Sequence, residues 1–303
     1  MSMPADRSAP QPPSGTGVIH DIGYRHYTGA RLGRAAIAGS LYLDSLRGAF
    51  GLGRSARSKI MPLLLLATVC LPALVIAIIV NVTGGDTLPI PLTSYAVLVS
   101  VPVSLYVAGQ APASVSRDLR FRVISLYFSR PLLRSDYVGA KFAAMATAVL
   151  ALLCVPLLLL YGGALLAGIP AGDTTLELLQ AVTGAAVLAL MLAGIALLIA
   201  SVTPRRGLGV AAVIAVLLVL AGVQGAAQGL ASADGRQDVA TWTTLLSPVS
   251  LVDALQGWAF GVDPAGGLAP HGAAGLVFLA VAAAVIAGTY LLMILRYREV
   301  SVS

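Results

Sequence analysis

Residues 60–82 read IMPLLLLATVCLPALVIAIIVNV, a run with no charged residue. A helix of that length spans about 30 Å of hydrocarbon at 1.5 Å per residue, and little besides a bilayer demands so long an apolar run. Working outward, the same kind of stretch recurs at 95–114, 142–169, 178–202, 207–230 and 272–295, with short polar segments between. The chain is 58% apolar and 11% charged, with a mean hydropathy of +0.90. That composition excludes a soluble globular domain. The expected fold class is an all-α membrane protein with six transmembrane helices. The boundary between the third and fourth spans is the weakest, because Gly162, Gly163, Gly168 and Pro170 are signals for ending a helix early.

The charges outside these stretches give an orientation. Eighteen of the 19 Lys and Arg residues fall on one side of a six-span layout, and only Arg236 falls on the other. Counting the acids as well, the sides carry +12 and −6, consistent with the overall +6. Lys and Arg are retained on the cytoplasmic side, so both termini and the 117–141 segment are expected there, in a bacterial inner membrane. A span added or removed would scramble this partition.

Residues 1–17 are rich in Pro, Ser and Gly and read as a disordered tail rather than a signal peptide. Residues 18–59 form a cytoplasmic or interfacial region, 60–298 the six-span domain, and 299–303 a short tail. Cys70 and Cys154 sit inside apolar stretches without metal or redox spacing. The arginines flank apolar runs instead of covering one face, which points away from nucleic acid as a partner.

Two segments outside the spans carry structure of their own on the basic side. Between Ala30 and Phe50, the residues Leu32, Ala36, Gly39, Leu43, Leu46 and Phe50 share one stripe at helical period, with Arg31, Arg34 and Asp44 off it. This predicts an in-plane amphipathic helix whose stripe dips into the lipid headgroups; a helix packed on the bundle is the alternative. The second segment, SRDLRFRVISLYFSRPLLRSDYVGAK from Ser116 to Lys141, combines arginines with Phe121, Tyr127 and Phe128, the mixture of a surface that docks a protein. Contact with lipid phosphates alone explains the arginines but not the aromatic residues. Ser116 and Ser135 read as helix N-caps, with Pro131 breaking the segment between them. On the opposite side, 241–260 is too polar and Pro-interrupted to span, and it is expected to lie at the outer interface or re-enter it, with Trp242 and Trp258 at headgroup level.

Much chemistry is missing from the sequence. None of the six stretches contains Asp, Glu, Lys, Arg or His, which argues against an ion-coupled carrier, since coupling ions are normally bound by ionisable groups within the membrane. Neither lysine, Lys59 nor Lys141, follows a glycine as in a P-loop. Zinc-protease and nucleophile-elbow motifs are also absent, and no catalytic or metal-binding residue is assigned. His20, His26 and His271 are isolated in sequence and read as surface or packing residues.

This arrangement resembles the type-2 family of ABC-transporter permeases: an in-plane N-terminal helix, six spans, a cytoplasmic segment after the second, and a partly re-entrant segment before the sixth. The run Ser116-Arg117-Asp118, then Leu126-Tyr127-Phe128-Ser129-Arg130-Pro131 and Asp136-Tyr137-Val138, is similar to that family's Ser-Arg-Glu, Leu-x-x-Ser-Arg-Pro and Asp-Tyr elements, with Asp118 in place of the commoner Glu. The resemblance implies a coupling helix that docks on a cytoplasmic ATPase through Ser116, Arg117, Asp118, Arg120, Phe121, Arg122, Tyr127, Phe128, Ser129, Arg130 and Pro131. It also implies two ATPase subunits that bind ATP and Mg, no cofactor in this chain, and a second permease, either an identical copy or a sister chain. The family's pathway walls are the second and fifth spans, which places Gln110, Gln224 and Gln228 near a pathway or in ordinary interhelical hydrogen bonds. Walls of Leu, Val and Ala suit a lipophilic substrate. A membrane anchor that recruits a soluble partner through the same segment is the main rival reading.

Overall fold

Proline and glycine set the punctuation of the described residues, which are helical almost throughout. The computed structural model describes residues 29, 33–53, 56–120, 132–203 and 205–299, with only the backbone of Arg117, Leu119, Arg120 and Glu299. Apart from Gly29, these belong to the unit that begins at Gly33. The helices are α1 (Arg34–Ala49), α2 (Ala56–Thr83), α3 (Tyr95–Leu98), α4 (Ser100–Arg120), α5 (Arg134–Leu166), α6 (Ala171–Val202), α7 (Arg206–Ala233), α8 (Gln237–Thr243), α9 (Pro248–Phe260) and α10 (Ala274–Glu299). Short 3-10 turns at Leu92–Ser94 and Thr244–Leu246 precede α3 and α9.

Five helices, α2, α5, α6, α7 and α10, are long and apolar enough to cross a membrane. The bent pair 92–98 and 100–116, counted as one span, makes a sixth. The architecture is that of a multi-pass membrane protein. The 59° bend in this pair has a local cause: Pro102 has no N–H for the Leu98 carbonyl, and its ring crowds that group, so the helix breaks at Val99 and restarts at Ser100.

Helix α6 is the hub, packed on α4, α5, α7, α9 and α10. Helix α5 also carries α1 and α2. Small residues permit the close approaches, as membrane packing favours: Gly163 of α5 lies directly against Ala77 of α2, and Gly194 of α6 lies against Thr289 of α10 and Phe142 of α5.

The helix boundaries differ from the sequence expectation in three places. Helix α5 starts at Arg134, not at Phe142, and runs through Gly162 and Gly163 before stopping at Leu166. These glycines do not end it because the Gly163 carbonyl stays bonded, to the Ala167 N–H at 3.1 Å and the Asn81 side chain at 2.8 Å. The stop is at Gly168, whose φ of 84° reverses the chain, with Pro170 preceding α6. Ser116 is not an N-cap: α4 continues from the core to Arg120, and the Ser116 hydroxyl donates to the Ala200 carbonyl of α6 at 3.3 Å. Ser135 is not one either, since α5 is capped at Leu133, whose N–H donates to the Asp136 carboxylate at 3.0 Å.

Helix α1 lies against α5 and α4. Its buried line is Leu41, Ser45 and Ala49. Leu46 and Phe50 pack at the edge of this line and Leu43 is exposed. Tyr42 donates to Thr147 at 3.1 Å, and Tyr106 of α4 donates to the Ala49 carbonyl at 3.2 Å, so α1 is fastened by hydroxyls as well as by apolar contact.

Candidate functional site

At one end of the bundle α4 finishes and α5 begins, on either side of the 121–131 segment. Lys141, on the second turn of α5, is only 6% exposed. A buried ammonium is tolerated only with good partners, and Lys141 has two on α4: the Asp118 carboxylate at 3.1 Å and the Ser114 carbonyl at 3.0 Å. These lie four residues apart, on one face of α4. The Tyr137 hydroxyl, one turn before Lys141, donates to the same Asp118 oxygen at 2.7 Å. The Tyr137 ring meets Tyr297 of α10 edge-on at 5.2 Å, and the Lys141 ammonium sits 5.6 Å above the Tyr137 ring. Two side chains of α5 therefore meet one carboxylate of α4, and α10 packs against one of them.

Beside this cluster, Arg34 of α1 grips Asp136 with two guanidinium nitrogens, one of them at 2.7 Å. The hydrogen bond to Asp136 moves the Arg34 guanidinium above its ordinary value. This pair lies at the surface, so its energetic contribution is small.

A second feature lies where α3 and α4 meet α6 and α7. A cavity of about 260 Å³ has Val101 and Leu105 of α4, Leu192 of α6, Leu217 and Gln224 of α7, and Ser247 before α9 among its walls. It is smaller than the ~300–1,000 Å³ typical of drug-sized sites, and like them it is mostly apolar. Gln224 is 7% exposed and donates one amide N–H to Gln228 at 2.5 Å.

The residues singled out in the sequence are distributed as follows. Asp118 stands in the ionic cluster, and Ser116 is buried against α6, where a soluble partner cannot touch it. The side chains of Arg117 and Arg120 are not among those described, and Phe121, Arg122, Tyr127, Phe128, Ser129, Arg130 and Pro131 lie outside the described residues, as does Leu32. Of the three amides, Gln224 lines the cavity, Gln228 supports it by hydrogen bonding, and Gln110 is buried in α4 without lining it. Sequence reasoning missed Lys141, Tyr137 and Tyr297 as a unit. A signal was present: Tyr137 and Lys141 are four residues apart at the entry of an apolar run, and such a lysine is buried if the helix begins before the run does.

No family model and no curated protein matches this sequence.

Proposed function

We propose that this chain is the membrane subunit of an ATP-driven exporter of the type-2 ABC permease kind. In this reading it sits in a bacterial inner membrane with both termini cytoplasmic, paired with a second permease and served by two ATPase subunits. The observation that carries it is the 117–133 segment: basic and aromatic in sequence, with stems tied into the bundle by a buried ion pair. A segment that received force from a partner would need such anchoring. The resemblance in sequence around Ser116 to Val138 and the absence of ionisable groups from the six apolar stretches support an external energy source. The apolar cavity supports a lipophilic cargo.

The mechanism follows from these parts. Closure of two ATP-loaded subunits would push the segment, and a packed bundle answers such a push by switching between discrete arrangements. The anchor reading shares the docking step and lacks the cavity's role.

Co-expression with candidate ABC ATPase subunits, followed by detergent purification, tests docking. Reversing Arg117, Arg120 and Arg122 to glutamate is expected to lower the recovered ATPase at least tenfold. Undiminished recovery of the ATPase with the reversed chain would sink the docking claim. Inverted vesicles then separate exporter from anchor: ATP-dependent accumulation of a lipophilic cationic dye is the expected result, and its absence favours the anchor.

A further inference from the structure

We propose that Asp118 and Lys141 form a staple that makes the two stems of the 117–133 segment move as one body, with Lys141 a positioning residue for coupling. The inference deepens the exporter reading and rests on it for its transport consequence, while its structural half stands alone. Lys141 reaches α4 at both Ser114 and Asp118. Tyr137 binds the same carboxylate from α5, and Tyr297 of α10 closes the far side of the Tyr137 ring. Separating the stems would strand the Lys141 ammonium, whose side chain is 7% exposed, away from the partly exposed (18%) Asp118 carboxylate that balances it.

An apolar contact slides at little cost, whereas an ion pair with two fixed acceptors holds one register. Coiled coils use buried polar groups the same way, trading stability for a single alignment. The consequence for transmission lies in α4. From Asp118 it runs in a single helix to Leu105 on the cavity wall, about 20 Å away at 1.5 Å per residue. A displacement at the staple therefore arrives at the cavity along one element. Helix α5 carries the same displacement toward α2, α6 and α1, which it packs against.

The test uses the full chain with its ATPase in nanodiscs and in dye-loaded vesicles. Three variants are compared: Lys141→Met, Asp118→Asn and Lys141→Arg. Amide hydrogen exchange is followed on peptides covering 112–120 and 134–142, together with the number of ATP molecules hydrolysed per dye molecule moved. The two neutral variants are expected to raise exchange in both stems at least tenfold and to raise the ATP cost per dye at least tenfold. Lys141→Arg, which keeps a donor for both the Asp118 carboxylate and the Ser114 carbonyl, is expected to hold both readouts within threefold of wild type. Neutral variants with wild-type exchange and wild-type ATP cost overturn the proposal, as does Lys141→Arg with both readouts raised tenfold. If the neutral variants fail to assemble, Lys141→Arg decides: wild-type exchange in it supports the staple, and failure to assemble overturns it. If the wild-type chain recruits no ATPase, the exporter reading fails on its own, and the exchange data still judge the staple.

Discussion

Gly194→Leu is expected to prevent recovery of a monodisperse protein from detergent, and Gly194→Ala to lower its apparent melting temperature. A Cβ at this position would lie 3.1 Å from the Thr289 Cβ and 3.2 Å from Phe142 Cε2, and closer still to the Thr289 hydroxyl. Neither neighbour can retreat easily. The Thr289 hydroxyl is bonded to the Val285 and Ile286 carbonyls at 2.8 and 3.0 Å, and Phe142 is locked edge-on to Tyr290 at 5.6 Å. Overpacking of this kind costs about 1–3 kcal/mol for a small insertion, and leucine adds three further carbons at the meeting point of α5, α6 and α10. Gly222 and Gly229 of α7 have nothing within 4 Å, so alanine there provides the control and should leave melting unchanged or slightly raised. A Gly194→Leu protein that elutes and melts like wild type would show that these three helices are not packed as described.

The second large effect is expected from Asp253→Ala, at the end of the bundle opposite the ion pair. Asp253 is 7% exposed, and its two oxygens accept the N–H groups of Ala265 and Gly266 at 3.1 and 2.9 Å. Alanine removes both acceptors; Ala265 and Gly266 are themselves exposed, so their N–H groups turn to water and each lost bond costs about 0.5–1.5 kcal/mol. The connection from α9 to α10, which turns at Gly261, Gly267 and Gly272 with φ of 67°, 66° and 55°, then loses its main anchor. The Trp258 indole, donating to the Gly272 carbonyl at 2.9 Å and resting on Gly275, should become exposed. Tryptophan fluorescence and thermal melting read both effects, and unchanged values in both would refute the anchoring of this connection by Asp253.

Asp253 also predicts a pH dependence. Burial raises its carboxyl above the ordinary 3.8, against the lowering effect of its two N–H donors. The folded state thus holds the proton more tightly than the unfolded chain does. Its contribution to stability is full below 3.8 and declines as pH rises through the folded value. Melting temperature should therefore fall across that window in the wild type. In Asp253→Asn the fall across the same window should be smaller, because the amide does not titrate.

The bundle was legible in the sequence because hydrocarbon imposes a length and a composition, which residues 60–82 and their five counterparts satisfy. The break at Val99 was written there too, in Pro102, but a hydropathy window averages over it. The sequence alone places the start of α5 at Phe142, because Lys141 and Asp136 look like the flank of a span. Its true start at Arg134 depends on Asp118, Tyr137 and Arg34, partners up to 102 residues away that supply the acceptors and charges such a flank needs. The same limit explains Ser116, a good cap in isolation whose hydroxyl is satisfied by α6. Local rules fail where tertiary partners take over the bonding of polar groups.

The cavity beside α7 offers aliphatic side chains and little hydrogen-bonding specificity beyond Gln224 and nearby serines such as Ser247. Between two guests that differ by one methylene, such a surface discriminates by about 1–3 kcal/mol. In the exporter reading, sorting there would follow cross-section and oiliness rather than the pattern of functional groups, and a lining of leucine and valine would make acceptance broad.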